Sequence, residues 1–565
     1  MNNNNSLINK LYKKALLPNI MLVLGGTVNV FFDGILVGQK LGDLGLDAVN
    51  QCLPFYLVLC TIGSLIASGV VALSAIAVGK DDLTEAKRYY SVGLFLSFVF
   101  SIVVCGLAYI FLDPICTLLS NASTYQYVYG YLRITIIFGL CKVLQYIFVF
   151  YLRLEGKLKR SSFSMILMTV INIVLDYLLL FTFDMGIEGT AYASGIATFI
   201  ATALCFIFLY TDKSNFRVGF KFPKKGDIKS ICVQGSSMAI NNITSSMRIF
   251  FFNQIFKMIG IDELVVVFAI ISNLNEFSIC VQNGVPQTGT AMVGILYGGK
   301  EFASIKDLLK TEIKCGLVLS GLVALLFIGG SKYIPAIFGS NTQCVFAIIC
   351  FSISIIFGTT NSVFAYYYSS ILRIDLADII TALRVLIAPV IILYLLKGWP
   401  DMIWLLYPLT EIICFAIIIL ITSTRNGELS KVFLLDEDFE KGGNIYSCIV
   451  NADSQDVSKA ATSVNEFCEQ HELSPKKAMA LSLSIEEMLM IIAEKSLNFA
   501  GSMDLRVFKK EDDVILRIRS GGSYYDPFAS NDDSLDYMGV NMVTKIAKKI
   551  EYQSTLGINT LIIYL

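Results

Sequence analysis

Runs of roughly 20 apolar residues, separated by short polar loops, recur from Ala15 to Thr422. A bilayer core needs helices of that length, because lipid offers the backbone no hydrogen-bonding partner. The pattern predicts about twelve spans, beginning near Ala15, Pro54, Tyr90, Tyr125, Phe163, Gly189, Ile231, Val265, Gly316, Val345, Ile379 and Met402. After Thr422 the character changes to ordinary amphipathic periodicity. Ser454 to Gln470 and Ser474 to Ser496 read as helices, the second opened by Ser-Pro. MDLRVFKKEDDVILRIRS reads as a hairpin turning at EDD, MGVNMVTKIAKKI as a helix, and EYQSTLGINTLIIYL as a hairpin turning near Gly557. The expected organisation is a six-helix lobe over 1–210, a basic inter-lobe loop over 211–230, a second six-helix lobe over 231–422 and a linker over 423–434. A soluble α/β sandwich over 435–565 completes it.

Composition agrees with this division. Hydrophobic residues make up 55% of the 565 and charged residues 16%, and the mean hydropathy of +0.66 places most of the chain in lipid. Lys10, Lys13 and Lys14 precede the first span; Arg153, Lys157, Lys159 and Arg160 lie between four and five; Lys221, Lys224, Lys225 and Lys229 lie between six and seven. The opposite loops carry Lys40, Lys257, Lys332, Lys397 and little else. The positive-inside rule then sets both termini in the cytoplasm of a multi-pass protein of the inner (plasma) membrane. MNNNNSLINKLYKK runs straight into a full-length apolar helix, so the first span is expected to be retained rather than cleaved. The 14 Cys are scattered without CxxC pairs, and His471 is the one histidine. A histidine metal site or a Ser-His-Asp triad in the membrane region is thereby excluded. No nucleic-acid partner is expected.

The two membrane halves repeat at an offset of about 220 residues. AIAVGKDDLTEAKRYY around Lys80 corresponds to ILYGGKEFASIKDLLK around Lys300, FLDPICTLLSNAS to KYIPAIFGSNTQ near Asn341, and FFD ending at Asp33 to FFN ending at Asn253. Both halves start on the same side, so the repeat is parallel, with an axis along the membrane normal and a cavity between the lobes.

Acids inside the spans carry the candidate chemistry. An Asp at a helix centre costs about 2.5 to 3.5 kcal/mol on insertion scales, so such a residue usually faces the bundle interior or a wet pathway. At 1.5 Å rise per residue, Asp33 lies roughly 28 Å along its helix from Lys14, Asp176 roughly 24 Å from Arg160, and Ser194 about 9 Å from Glu188. All three fall at comparable depth, and Asn172 shares a helix face with Asp176. Two carboxylates, an amide and a hydroxyl supply oxygen ligands for Na+, or an acid pair able to hold a proton. The structural alternative is that the acids pair with Arg133 or Lys142 to lock helices.

FFDGILVGQKLG, TIGSLIASGVVALSAIAVGKDD, NIVLD and GIEGTAYASGIAT together resemble the multidrug and toxic compound extrusion (MATE) transporters, over about residues 10 to 422. The resemblance implies a polytopic α-helical protein of two six-helix lobes, alternating access, and export of an organic solute against inward H+ or Na+. It implies that Asp33, Asn172, Asp176 and Ser194 form the amino-terminal lobe's cation site, Ser194 standing where the family often has Thr. In the second lobe Asn253 stands opposite Asp33, and Arg384 and Ala388 stand opposite Asn172 and Asp176, so a symmetric acid site is absent. Glu276, with Asn253, is the candidate for lining a substrate cavity, the alternative for Glu276 being helix pairing with a neighbour such as Arg248; Glu411 reads as structural and Arg384 as a helix anchor. MATE substrates are typically amphipathic cations, and FAYYYSS near Tyr367 offers aromatic contacts or simple packing.

LSLSIEEMLMII, IRSGGSYYDPF and MGVNMVTKIAKKIEYQSTLGINTLIIYL resemble the anti-sigma-factor branch of the GHKL (histidine-kinase-like ATPase) domains, over roughly 435 to 565. Glu487 matches the family's base, while Ile491 replaces the Mg2+-orienting Asn and Ser520 the adenine-reading Asp. Gly522 and Gly539 match its nucleotide-binding glycines. Losing the metal ligand and the adenine acceptor removes nucleotide-specific contacts, so Glu487 reads as vestigial and the domain as regulatory rather than a kinase. The resulting expectation is a monomeric, non-enzymatic antiporter for a small organic solute. It uses H+ or Na+ as coupling ion, with ATP at the tail the lesser reading, and it offers the tail to an anti-anti-sigma-like protein. The alternatives are a flippase for lipid-linked or polar metabolites, and a membrane receptor signalling through the tail.

Overall fold

A computed structural model describes residues 7–211, 216, 221–337, 344–426, 445–497, 501–510, 513–521, 525–528, 538–555 and 558–565. The chain divides into two compact units. One comprises Ala15–Arg153 and Leu158–Leu434; the other comprises Leu435–Leu565 together with Met1–Lys14 and Leu154–Lys157.

The larger unit is all helix. In chain order it contains α1 (Leu7–Gly79), α2 (Leu83–Ile110), α3 (Leu112–Leu119), α4 (Tyr125–Leu154), α5 (Leu158–Tyr177), α6 (Gly186–Thr211) and α7 (Asp227–Ile259). Then come α8 (Asp262–Gly298), α9 (Phe302–Gly330), α10 (Ile334–Ile337), α11 (Val345–Ser370), α12 (Ile374–Ala382), α13 (Ala388–Leu396) and α14 (Leu406–Asn426). α1 is two spans joined at Gly42, whose φ of 63° breaks the helical path. The second of these spans starts at Leu44 rather than near Pro54, because the polar stretch GDLGLDAVNQ is helical too. Among the described residues ten helices are long and apolar enough to cross a membrane, which makes this a multi-pass membrane protein. α7 and α8, expected as spans seven and eight, have the length but are not among those ten; α7 is the more polar of the two.

The repeat is visible in backbone turns. After the helix ending at Gly79, Asp81 takes φ 65° and Asp82 N–H bonds to the Ala77 carbonyl; after α8, Lys300 takes φ 54° and Glu301 N–H bonds to the Leu296 carbonyl. The matching segment near Asn341 lies outside the described residues. The two halves meet backbone to backbone at glycines. A Cβ on Gly69 would strike the Ile231 carbonyl and one on Gly235 the Leu65 carbonyl; Gly79 and Gly298 face the Ile295 and Ile76 carbonyls in the same reciprocal way. Polar bonds reinforce this seam: Asn19 donates to the Gly284 carbonyl (2.7 Å) and to Thr288 Oγ1 (3.0 Å).

The smaller unit holds an antiparallel five-stranded sheet in the order β1-β2-β3-β5-β4. The strands are β1 (Ile445–Asn451), β2 (Ser502–Lys510), β3 (Asp513–Ser520), β4 (Lys549–Thr555) and β5 (Ile558–Tyr564). Three helices, α15 (Ser454–Gln470), α16 (Pro475–Lys495) and α17 (Met538–Ile546), share its core. Alternation sets the faces: Met503, Leu505 and Val507 of β2 and Val514, Leu516 and Ile518 of β3 point to that core. Ile491 is in it as well, 7% exposed. Glu487 is half-buried on α16, Ser520 is buried at the end of β3, and Gly539 opens α17. Gly522 and the turn at Gly557 lie outside the described residues. Leu7 packs beside Gly521, 2.8 Å from where a Cβ would stand.

Candidate functional site

Two helices carry the same five-residue pattern. α1 reads Asn29 to Asp33 and α5 reads Asn172 to Asp176, each an Asn four residues before an Asp and so on one helix face. Thr169 Oγ1 donates to the Gly25 carbonyl at 2.9 Å, where the missing Cβ lets α1 and α5 approach. Counting two turns on from that contact along each helix brings Asp33 level with Asp176. The Asp33 and Asp176 carboxyls stand within hydrogen-bonding reach of each other. Asn29 Nδ2 donates to Asp33 Oδ2 at 3.3 Å, and Asn172 Nδ2 to Ser194 Oγ of α6 at 3.1 Å. The structure therefore brings all four expected residues, Asp33, Asn172, Asp176 and Ser194, into one cluster.

The cluster is rich in acceptors and short of donors. Asp176 is fully buried and Asn172 1% exposed. Both oxygens of Asp176, one of Asp33 and the amide oxygens of Asn29 and Asn172 are buried with no donor. Carboxylates cannot donate to each other, so the contact between the two acids requires a proton or a cation between them. An all-oxygen donor set of this kind fits Na+ as well as H+. The structural alternative does not apply to these acids. Arg133 pairs with Glu188 (3.6 Å), and Lys142 reaches Gln145 (3.4 Å) and lies over the Tyr56 ring at 5.1 Å. Asp33, Asn172 and Ser194 line a cavity of about 1150 Å³ shared with Tyr56, Tyr131 and Lys142. The sequence reading missed Asn29, although the repeated Asn-x-x-x-Asp spacing carried the signal.

α5 passes into a π-turn at Leu178–Thr182 immediately beyond Asp176, and a second π-turn, Leu383–Ile387, holds Arg384 between α12 and α13. Arg384 Nε donates to both Glu411 oxygens (2.7 and 2.9 Å), Nη1 to Ser362 Oγ (2.5 Å) and Nη2 to Gln282 Oε1. Asn361 Nδ2 completes the Glu411 shell at 2.7 Å. Arg384 thus anchors helices, and Glu411 is its counter-ion. Glu276 lies on the wall of a cavity of about 1030 Å³ with Arg248, and among the described residues no ion pair joins the two. The Asn253 side chain lies outside the described residues. Tyr367 and Tyr368 are packed in the protein, whereas Tyr366 turns into a neighbouring cavity.

Long apolar helices gathered around a buried, donor-poor acid cluster define a polytopic membrane protein. Comparison with known proteins gives that architecture its family likeness: residues 18–178 match the MatE family model. The chain is 25% identical over 220 residues to the multidrug export protein MepA of Staphylococcus haemolyticus, covering 38% of this chain and 48% of that one. It is 24% identical over 201 residues to MepA of Staphylococcus aureus strain MRSA252, covering 35% and 44%. The chain thus spans about half the length of the curated relatives it matches. Among solved structures, a MATE crystal structure in complex with MaL6 superposes with a TM-score of 0.71 at 18% identity, covering 76% of this chain and 98% of that one. An outward-facing MATE transporter of the MOP superfamily gives 0.69 at 18%, covering 76% and 98%. The membrane region has the MATE fold.

Proposed function

We propose that this protein is a secondary antiporter of the inner membrane, exporting an amphipathic organic solute in exchange for H+ or Na+. The carrying observation is the neighbouring pair Asp33 and Asp176, the second fully buried, with both Asp176 oxygens and one Asp33 oxygen left without a hydrogen-bond donor. Bound cation neutralises the pair and lets α1 and α5 stay close; its loss leaves two like charges in a medium of low dielectric, where repulsion favours separation. The seam at Asn19, Gly79 and Gly298 lies, on the positive-inside orientation, toward the cytoplasm, so the lobes are closed there and the resting site faces outward. MepA and the superposed MATE structures support transport as the activity.

The reading assigns twelve spans to two pseudo-symmetric lobes, counts α7 and α8 among them, and makes the monomer the transport unit. The tail is taken as a regulatory domain on a degenerate ATPase fold that binds a cytoplasmic protein. Ile491 supports this, because a buried core side chain occupies the position of the Mg2+-orienting amide. The test of transport is proteoliposomes holding the full chain, with imposed pH or Na+ gradients and dye uptake as readout. Gradient-driven transport that disappears in Asp176→Asn supports the proposal, and transport indifferent to both gradients overturns it.

A further inference from the structure

Glu312 lies about 15 Å along α9 from the start of that helix at Phe302. It is 2% exposed, its Oε1 has no hydrogen-bond donor, and among the described residues no charged group stands near enough to offset its burial. Lys310 and Lys314, on the same helix, are exposed. α9 packs on α8 and α11. At the level of the acid α8 has Gly289, and a Cβ there would fall on Glu312 Oε1, so the carboxyl occupies the room the glycine leaves. From α11, Tyr367 faces the acid, with Tyr368 and the Tyr297 of α8 beside it. These phenols are the titratable groups on that side among the described residues, and phenols are uncharged at neutral pH.

A carboxylate taken out of water with neither a cation nor donors around it is too costly to stay ionised, so Glu312 carries a proton in this conformation. Packing alone does not call for an acid at this place. At the repeat offset of about 220 residues its counterpart on α2 is Val92, which is fully buried and apolar. An ionisable side chain kept inside a span beyond the needs of packing marks a functional site. The ligand is set by the chemistry. A metal cation such as Na+ needs a shell of several oxygens, and a lone carboxyl against a glycine and phenols supplies too few, whereas a proton needs one.

We propose that Glu312 is a proton-binding site of the second lobe, occupied while the seam between the lobes is closed and emptied when α8 and α9 part. The seam is one residue away. Thr288, next to Gly289, accepts the bond from Asn19 at 3.0 Å, and Asn19 also holds the Gly284 carbonyl of the same helix. Movement of α8 away from α9 therefore disturbs the contact between the lobes and lets water reach the carboxyl together. The step is the transfer of one proton from the carboxyl to water, with no other bond made or broken. Its use in the transport cycle rests on the proposed exchange function; the protonation itself does not.

The test is infrared spectroscopy of the full chain in detergent at neutral pH, reading the C=O stretch of protonated carboxyls. The wild-type protein is expected to show a band that is lost in Glu312→Gln and kept in Asp176→Asn, which separates it from any proton on the acid pair. Glu312→Val, copying Val92, reads the same loss should the glutamine variant fail to fold. In D2O the Glu312 band is expected to shift as its proton exchanges, and Asn19→Leu, which removes the two seam bonds, should speed that shift about tenfold. A spectrum with no band assignable to Glu312 overturns the proposal. A band that never shifts in D2O marks a sealed structural proton and overturns it too, and an exchange rate unchanged in Asn19→Leu overturns the link to the seam. None of these readings is transport, so failure of the exchange scheme, seen as gradient-independent dye uptake in proteoliposomes, is distinguishable from failure of the Glu312 site.

Discussion

Thr169 donates its hydroxyl proton to the carbonyl of Gly25, and this bond between α5 and α1 lies two turns from the Asp33–Asp176 contact on both helices. It sets the spacing at which the two acids meet. Thr169→Val keeps the shape and removes the donor. The expected loss is about 1 kcal/mol of stability, measured by thermal unfolding, with weaker ion-coupled transport in proteoliposomes. Unchanged coupling would show that other contacts set the spacing.

Asp176→Asn should separate stability from function. The new amide donates to Asp33, where the wild-type oxygens find no donor, so the variant is expected to be stabilised by about 1 kcal/mol. Exchange should nevertheless fall by more than about tenfold, because one acid alone cannot form the shared cation site. A variant that unfolds early would contradict the donor-poor description of the pair.

Arg384 and Glu411 should behave as a unit. Removing either alone leaves a buried charge and is expected to cost about 3 to 5 kcal/mol, whereas Arg384→Met with Glu411→Leu together should cost far less. A double-mutant cycle on thermal stability reads the coupling directly. Additive losses would assign the two residues to separate networks.

In the smaller unit, Asp456 accepts from Asn451 Nδ2 at 2.7 Å and from Lys459 Nζ at 3.2 Å at the start of α15. These bonds hold its carboxyl below the usual range, the Asn451 bond first. A folded-state value below the unfolded one means the stabilisation is present at neutral pH and is lost as pH falls through the folded value, below about 4. Asp456→Asn should flatten that acid limb of a stability profile. An unchanged limb would place the effect elsewhere.

Isothermal titration of ATP with Mg2+ into the full chain should show no binding, given Ile491 in the core. Clear Mg2+-dependent heat would restore a working nucleotide site to the tail.

Much of this was legible in the chain. Hydropathy located the apolar helices, and carboxylates at matched depth brought Asp33, Asn172, Asp176 and Ser194 together before any coordinates. The tail's two hairpins and three helices also followed from alternation and the Ser-Pro start, although β1 was missed because it follows a charged stretch and pairs with β2 across two intervening helices rather than in a hairpin. What could not be read was pairing across the bundle. That Arg384 serves Glu411 and that Arg153 reaches Gln287 depends on which helices face one another, and the π-turn that holds Arg384 leaves no periodic trace.

The reciprocal glycines at Gly69, Gly235, Gly79 and Gly298 place bare peptide against bare peptide at those four positions. At those points there is no rotamer to unlatch, and the side-chain hold on the seam falls to bonds such as that from Asn19 to the Gly284 carbonyl. The glycine contacts are also unforgiving: a single methyl group is a wedge. Gly235→Ala, the smallest possible enlargement, would prop the halves apart, so four residues that bind nothing set which substitutions a moving part can tolerate.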